Sequence, residues 1–508
     1  MNIVVRFWFL IAVVMQLGCS HLATRPVPNA LAPAEFQRLQ QQINMAIQQI
    51  NPHVSVGMEV VSLVNHKTVY SKNRNQLFTP ASTLKVVTAA AALYYLGAHY
   101  RFATKLLATQ VNGQTGRLQD LYLVGSGDPT LTWNHLMQLA NELKQRGVRV
   151  ISGDVVVDDS AFDNLLWGKG WMWDDRSVAY SAPIEAVNCN GNRLTLRIVP
   201  AQKAGKPARV LMTPPTQFVN IQTHVTTGRP TAARHISFRV MDPRFPNARD
   251  LKQGLQSGQT IVLEGTLPQT GQPRTLHFAV SEPSLFTGTV LRELLQAQGI
   301  RVKGAVRRAS AVPCAQQLAV HRSVSLREML VDVLRTSNNH ATEILLKTLG
   351  QHTQQTQQAT GDFAGGIRAV ERFLQQGAGI EPKKLHIADG SGLSRYSLMT
   401  PRQMTRLLAF MWHEFSLQPD FVGCLPALKN SQSFSKQPLS QPQHARHVRA
   451  KTGSMGAVSN LAGYMVTQQG DPLAFTIFIN GFLGSKQPYR KLKQQLLTIL
   501  YHVPKIAA

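Results

Sequence analysis

Apolar and polar positions change their spacing repeatedly along the 508-residue chain. Between 34 and 50, Phe36, Leu39, Ile43, Ile47 and Ile50 recur at three- and four-residue intervals, the stripe of an amphipathic helix. Val54, Val56, Met58 and Val60 then alternate, which predicts a half-buried strand. Val69-Tyr70 is placed to pair back across the polar turn Asn65-His66-Lys67. An Ala-rich helix is predicted over 80–96, stopped by Gly97. From about 100 to 285, short apolar runs (106–111, 120–124, 155–157, 193–199, 260–263) are cut by Gly, Pro and Asn, the texture of one or two β-rich inserted domains spanning 101–284. Helical periodicity returns over 290–298, 325–334, 341–349, 367–376 and 401–412, and the chain closes strand-strand-helix over 461–467, 473–480 and 488–502. The fold class is therefore α+β.

Composition narrows the picture. Hydrophobic residues make up 44%, enough to build cores and too many for a disordered chain. Lys and Arg number 53 against 27 Asp and Glu, a formal charge of +26 that suits an anionic partner. No zinc finger or aromatic-rich RNA-binding signature accompanies the charge, so nucleic acid is not the expected partner; the charge fits either association with a membrane or anionic envelope polymer or a uniformly basic, well-solvated surface. Arg6 followed by the apolar run from Phe7 to Leu17 reads as a secretory signal within 1–22. Gly18-Cys19 makes Cys19 a candidate for lipidation, although Gln16-Leu17 fit a lipobox poorly. An exported, periplasmic protein is expected. The remaining Cys189, Cys314 and Cys424 are too few for a disulfide scaffold. Neither C-x-x-C nor H-E-x-x-H occurs, so chemistry without metal or cofactor is expected.

Three short motifs then carry the chemistry. Ser82-Thr83-Leu84-Lys85 is an S-x-x-K, Ser337-Asn338-Asn339 an S-x-N and Lys451-Thr452-Gly453 a K-T-G, in that order. Thr79 as N-cap and Pro80 as first helical residue would leave the Ser82 N–H at a positive helix end, free to stabilise an oxyanion. The i,i+3 spacing stacks Lys85 beneath Ser82, where a neutral amine could take the hydroxyl proton. Ser337 and Asn339 fall between two predicted helices, offering a hydroxyl to relay a proton and an amide to bind a substrate backbone. Lys451-Thr452-Gly453 ends the run 447–450. Lys451 could attract a carboxylate, Thr452 could hydrogen-bond it, and Gly453 could admit a substrate backbone.

On these motifs the chain resembles the D-alanyl-D-alanine carboxypeptidase/endopeptidase branch of the low-molecular-mass penicillin-binding proteins, the class C group. The 255 positions from Ser82 to Ser337 suit that branch's large insert, and 125–131, 170–175 and 389–394 resemble further segments of it. The resemblance implies a β-lactamase/transpeptidase-like catalytic domain built from 25–100 plus 285–508. It implies Ser82 as acylated nucleophile and Lys85 as general base, with Ser337, Asn339, Lys451 and Thr452 assisting. The backbone N–H groups of Ser82 and Ser454 would form the oxyanion hole. Peptidoglycan stem peptides would be the substrate and β-lactam antibiotics covalent inhibitors. Asn338 stands where relatives often carry Asp, Ser454-Met455 where Thr-Leu is usual, and 427–447 lacks an expected Gly-Thr-Leu stretch.

The same machinery would serve a β-lactamase or esterase, but no Glu is recognisable as a water-activating base, so a β-lactam adduct is expected to persist. A non-catalytic peptidoglycan-binding protein would show a degraded site, whereas every reacting residue is present.

Overall fold

The structure is a computed structural model that describes residues 33–242, 259–354, 359–428 and 443–506. Residues 1–32, where a secretory signal with Cys19 is expected, and most of 427–447 lie outside the described residues.

A five-stranded antiparallel sheet organises the catalytic region. Its strands are β1 (Ser55–Ser62), β2 (Thr68–Lys72), β3 (Val448–Met455), β4 (Val458–Val466) and β5 (Pro472–Asn480), in the spatial order β3-β4-β5-β1-β2. Tyr70 pairs back onto Val60 across the expected turn. Along β5, side chains divide by alternation: Phe475, Ile477 and Ile479 enter one core and Ala474 and Phe478 the other. The first core is closed by α1 (Pro33–Gln48) and α7 (Gln487–Tyr501). The second is closed by α2 (Leu84–Leu96), α3 (Leu326–Thr336), α4 (Asn339–His352), α5 (Phe363–Gln376) and α6 (Pro401–His413). Each fully buried Phe or Ile contributes about 1.5–3 kcal/mol. β1 is consequently buried on both faces rather than half-buried, because α6 covers its second side. A Cβ on Gly57 would fall 2.8 Å from the Pro401 ring.

The insert has its own core, running from Leu106 to Ala319. Its main sheet joins Val306–Arg308, Val155–Asp158, Leu121–Gly125, Ala103–Ala108 and Gln316–Arg322 in that order, beside three three-stranded sheets. This corrects the sequence boundary at 284, which falls inside the helix Pro283–Ala297. That helix buries Phe286, Val290 and Leu291 in the insert's core, and the strands after it complete the insert's sheet. The insert also holds a helix, Trp133–Gln145, capped by Thr132 and burying Leu136, Leu139, Ala140 and Leu143. That i, i+3, i+4, i+7 spacing was present in the sequence beneath the strand-rich texture.

The helix predicted over 80–96 is interrupted at its start. Pro80 is followed by Ala81 at φ 48°, a left-handed conformation uncommon for a residue with a Cβ. Ala81–Thr83 then form a single 3-10 turn, and the α-helix begins at Leu84. Every residue of α2 from Leu84 to Leu93 is buried, as expected for a helix apolar on all sides.

Candidate active site

The Ser82 turn is held from the sheet. Asn460 on β4 donates through Nδ2 to the carbonyls of Thr79 and Pro80, at 2.9 Å each. Asn480 at the end of β5 accepts the Thr79 N–H at 2.9 Å. Thr79 is thus a tie to the sheet and not the helix cap expected of it, because the left-handed Ala81 separates it from the helix. Thr83 adds an Oγ1 bond to the Pro80 carbonyl at 2.7 Å. Together these contacts hold a strained Ala81, whose conformation costs on the order of 1–3 kcal/mol.

Lys85 lies beneath Ser82, wholly buried, with Nζ 3.0 Å from Ser82 Oγ. The amine also donates to Asn339 Oδ1 and to the Ser391 carbonyl, at 2.7 Å each. Neither of those partners has a proton to give, so both fix N–H bonds of Lys85. A neutral amine then keeps its lone pair for the Ser82 hydroxyl. Burial brings Lys85 down to about 8, opposed by the charges of Asp389 and Glu343.

Ser337 follows α3 in a left-handed turn at φ 59°, and Asn338 caps α4 by accepting the Ala341 N–H at 3.1 Å. Asn339 opens α4. Its oxygen faces Lys85 and its Nδ2 donates to the Tyr180 carbonyl at 2.9 Å, so it ties the lysine to the insert rather than projecting free toward a substrate. Ser337, Asn339 and Tyr180 line a cavity of about 530 Å³ between α4 and the insert.

Lys451, Thr452, Gly453 and Ser454 lie inside β3, not in a turn at its end. A Cβ on Gly453 would come within 2.6 Å of the Pro80 carbonyl and 3.1 Å of the Thr83 nitrogen. The chain's own nucleophile turn therefore needs a glycine here. Lys451 is buried and donates to the Thr452 carbonyl at 2.9 Å. Burial carries it well below the usual lysine range, and the neighbouring Lys85 charge adds to that. Burial is thus the first cause of the lowering in both lysines. Thr452 is half-buried and Ser454 exposed.

Several contributors went unrecognised in sequence. Asp389 is buried and accepts the Gly392 N–H at 3.1 Å, the Ser394 N–H at 2.8 Å and the Trp171 indole at 3.1 Å. This fixes the loop that carries Ser391 and brings the insert against it. Residues 170–175 and 389–394, which resemble segments of the family, thus meet at this buried carboxylate. Asn460 and Asn480 carried no signal beyond being polar in apolar strands.

The family model described as the D-Ala-D-Ala carboxypeptidase 3 (S13) family matches residues 39–502. The chain is 34% identical over 443 residues to a D-alanyl-D-alanine carboxypeptidase of Actinomadura sp., covering 84% of this chain and 78% of that protein. It is 29% identical to the D-alanyl-D-alanine carboxypeptidase DacB of Haemophilus influenzae, covering 84% and 86%. The crystal structure of penicillin binding protein 4 from Haemophilus influenzae superposes with a TM-score of 0.77 at 27% identity, covering 90% of this chain and 99% of that one. The same protein in complex with a β-lactam superposes with a TM-score of 0.71 at 26% identity, covering 91% and 99%.

Proposed function

The chain belongs to the D-Ala-D-Ala carboxypeptidase 3 (S13) family, and from that premise we propose that Ser82 is its acylated nucleophile and Lys85 the general base. The protein is a serine-type D-Ala-D-Ala carboxypeptidase, a low-molecular-mass class C penicillin-binding protein acting on peptidoglycan. The observation that carries the residue assignment is the 3.0 Å approach of Lys85 Nζ to Ser82 Oγ, with the amine's remaining bonds spent on two pure acceptors.

In the proposed sequence, neutral Lys85 takes the Ser82 hydroxyl proton as Oγ bonds to the carbonyl carbon of the penultimate D-Ala. The Ser82 and Ser454 N–H groups receive the developing negative charge, Ser454 lying next to the glycine that presses on the Ser82 turn. The C–N bond breaks, and the proton returns through Lys85 or Ser337 to the departing D-Ala amine. Water then attacks the ester, which releases the shortened peptide and restores the Ser82 hydroxyl. Lys451 and Thr452 take the terminal carboxylate, a group that only the peptide's free end carries. Cleavage of cross-links by the same steps, acylation by β-lactams, and export by the N-terminal apolar segment complete the proposal.

Fluorescent penicillin labelling with mass-spectrometric mapping, run beside D-Ala release from a stem pentapeptide, tests it. The expected result is one adduct on Ser82, absent from Ser82→Ala together with D-Ala release. An adduct elsewhere, or activity surviving that change, sinks the assignment.

A further inference from the structure

Glu343 stands one helical turn after Asn339 on α4, fully buried. The i,i+4 spacing puts both on one face. Asn339 touches Lys85 directly, and Glu343 reaches it through one residue, Ser391. Its carboxyl accepts the Gly390 N–H at 3.1 and 2.9 Å and the Ser391 N–H at 2.7 Å. The carbonyls of the same two residues point to α2. Gly390 accepts Thr88 Oγ1 and Ser391 accepts Lys85 Nζ, at 2.7 Å each. Lys85 and Thr88 are themselves i,i+3. The Gly390-Ser391 segment is therefore strung between α4 and α2, with Glu343 holding its donors and Lys85 at one of its acceptors. Any neutral acceptor could hold such a loop at lower desolvation cost. A carboxyl kept there, beside a lysine that has to change its proton state, has a further use.

We propose that Glu343 is a positioning residue for acylation, fixing the Ser391 carbonyl against Lys85 and holding a titratable carboxyl beside the base.

The groups that face Lys85 are Ser82 from its own turn, Asn339 and Glu343 from α4, Asp389 from the 389–394 loop and Lys451 from β3. Asp389 spends its oxygens on backbone, indole and hydroxyl donors, including Ser397 Oγ at 3.0 Å, and is a fixed neighbour. Burial, and then Asp389, push Glu343 up to about 8, the value to which burial brings Lys85. Burial thus shifts the two groups toward each other, Glu343 up and Lys85 down. Glu343 that has lost its proton favours the ammonium form of Lys85, and a permanently neutral side chain in its place does not.

The assignment rests on acylation at Ser82, and one experiment separates the two. The rate of acylation by a fluorescent penicillin is measured from pH 6 to 10 on the full chain and on Glu343→Gln, Glu343→Asp and Ser82→Ala. Glu343→Gln keeps an acceptor oxygen and the side-chain volume, so the expected change is a shift of the rising limb by about one pH unit to lower pH. Glu343→Asp keeps the charge but withdraws it from the loop. Its limb should stay in place while the plateau falls about 10–100-fold. Should the Gln chain not fold, as judged by thermal unfolding, the Asp chain carries the test alone. A Gln profile superposing on the wild type, or an Asp plateau left intact, overturns the role of Glu343 while labelled Ser82 stands. A wild-type chain that takes no label on Ser82 overturns the proposed function and this role with it.

Discussion

Gly453→Ala asks how closely the active site depends on backbone packing alone. The added methyl would sit 2.6 Å from the Pro80 carbonyl, against an ordinary carbon–oxygen contact of about 3.3 Å. Strand β3 and the Ser82 turn would have to part by roughly 0.7 Å. Neither neighbour is a flexible side-chain end. The Pro80 carbonyl is bonded by Asn460 Nδ2 and by Thr83 Oγ1, and the next contact is the Thr83 backbone nitrogen. The overpacking costs about 1–3 kcal/mol of stability, which the fold should survive. The separation also moves Ser454 and Lys451 away from Ser82, and a displacement approaching 1 Å lowers rate by about 10²-fold. The expected outcome is a chain that melts a few degrees lower and is acylated by penicillin about 10²-fold more slowly. Thermal unfolding and the second-order labelling rate measure the two halves. A rate within about threefold of wild type, less than 1 kcal/mol of barrier, would show that the turn absorbs the methyl and that the close approach has no catalytic meaning.

Lys85→Arg keeps the positive charge but cannot surrender a proton at working pH, so penicillin labelling should be lost while a folded melting transition remains. In the wild type, labelling should rise with pH through a midpoint near 8, because the free amine is the reactive form and burial has brought Lys85 to about 8; a pH-rate profile flat between 6 and 9 contradicts this. Asn460→Ala removes both bonds to the Thr79 and Pro80 carbonyls and should slow acylation by at least tenfold, with stability down by about 1–3 kcal/mol for the buried groups left unpaired. His340 accepts from Asn192 Nδ2 at 3.1 Å and is held neutral by burial, and by Arg193 after it, down to about 3 from 6.5. The unfolded chain therefore takes up this proton first, and stability should decline as pH falls below about 6.5 toward 3. In His340→Gln that decline should be shallower in melts taken from pH 7 to 4, and a parallel decline would exclude His340 as its source.

What could be read without coordinates was what the chemistry imposes locally. A base one helical turn from its nucleophile needs the spacing of Ser82 and Lys85, and that spacing is visible in a string of letters. So were the helices of the catalytic region, whose apolar stripes face one core, and the strands that form the middle of the sheet. The second acceptor of Lys85 was not visible, because it is the carbonyl of Ser391 and every residue has one. Asn460 and Asn480 were hidden for another reason. They serve backbone groups 381 and 401 positions away, and only the antiparallel register of β4 and β5 places them there. The left-handed Ala81 defeated the capping argument, since local propensity alone does not select that conformation for alanine. The insert's true extent was missed because its last strands, Val306–Arg308 and Gln316–Arg322, earn their place by pairing with Val155–Asp158 and Ala103–Ala108.

The pairing of β1 with β5 has a consequence for the order of events during synthesis. Ser55 lies opposite Asn480, and the turn bearing Ser82 hangs from Asn460 and Asn480. A growing chain makes its nucleophile early and the strands that shape it last. The insert, with a core drawn from 106 to 319, has all its strands long before then and can collapse as a unit. Closing the catalytic sheet means bringing together segments separated by most of the chain, the slow kind of contact. Until residue 480 has emerged, the Ser82 turn lacks its tie to Asn480 and β1 lacks its full partner in β5. The active site is therefore complete only when segments about 400 residues apart have met.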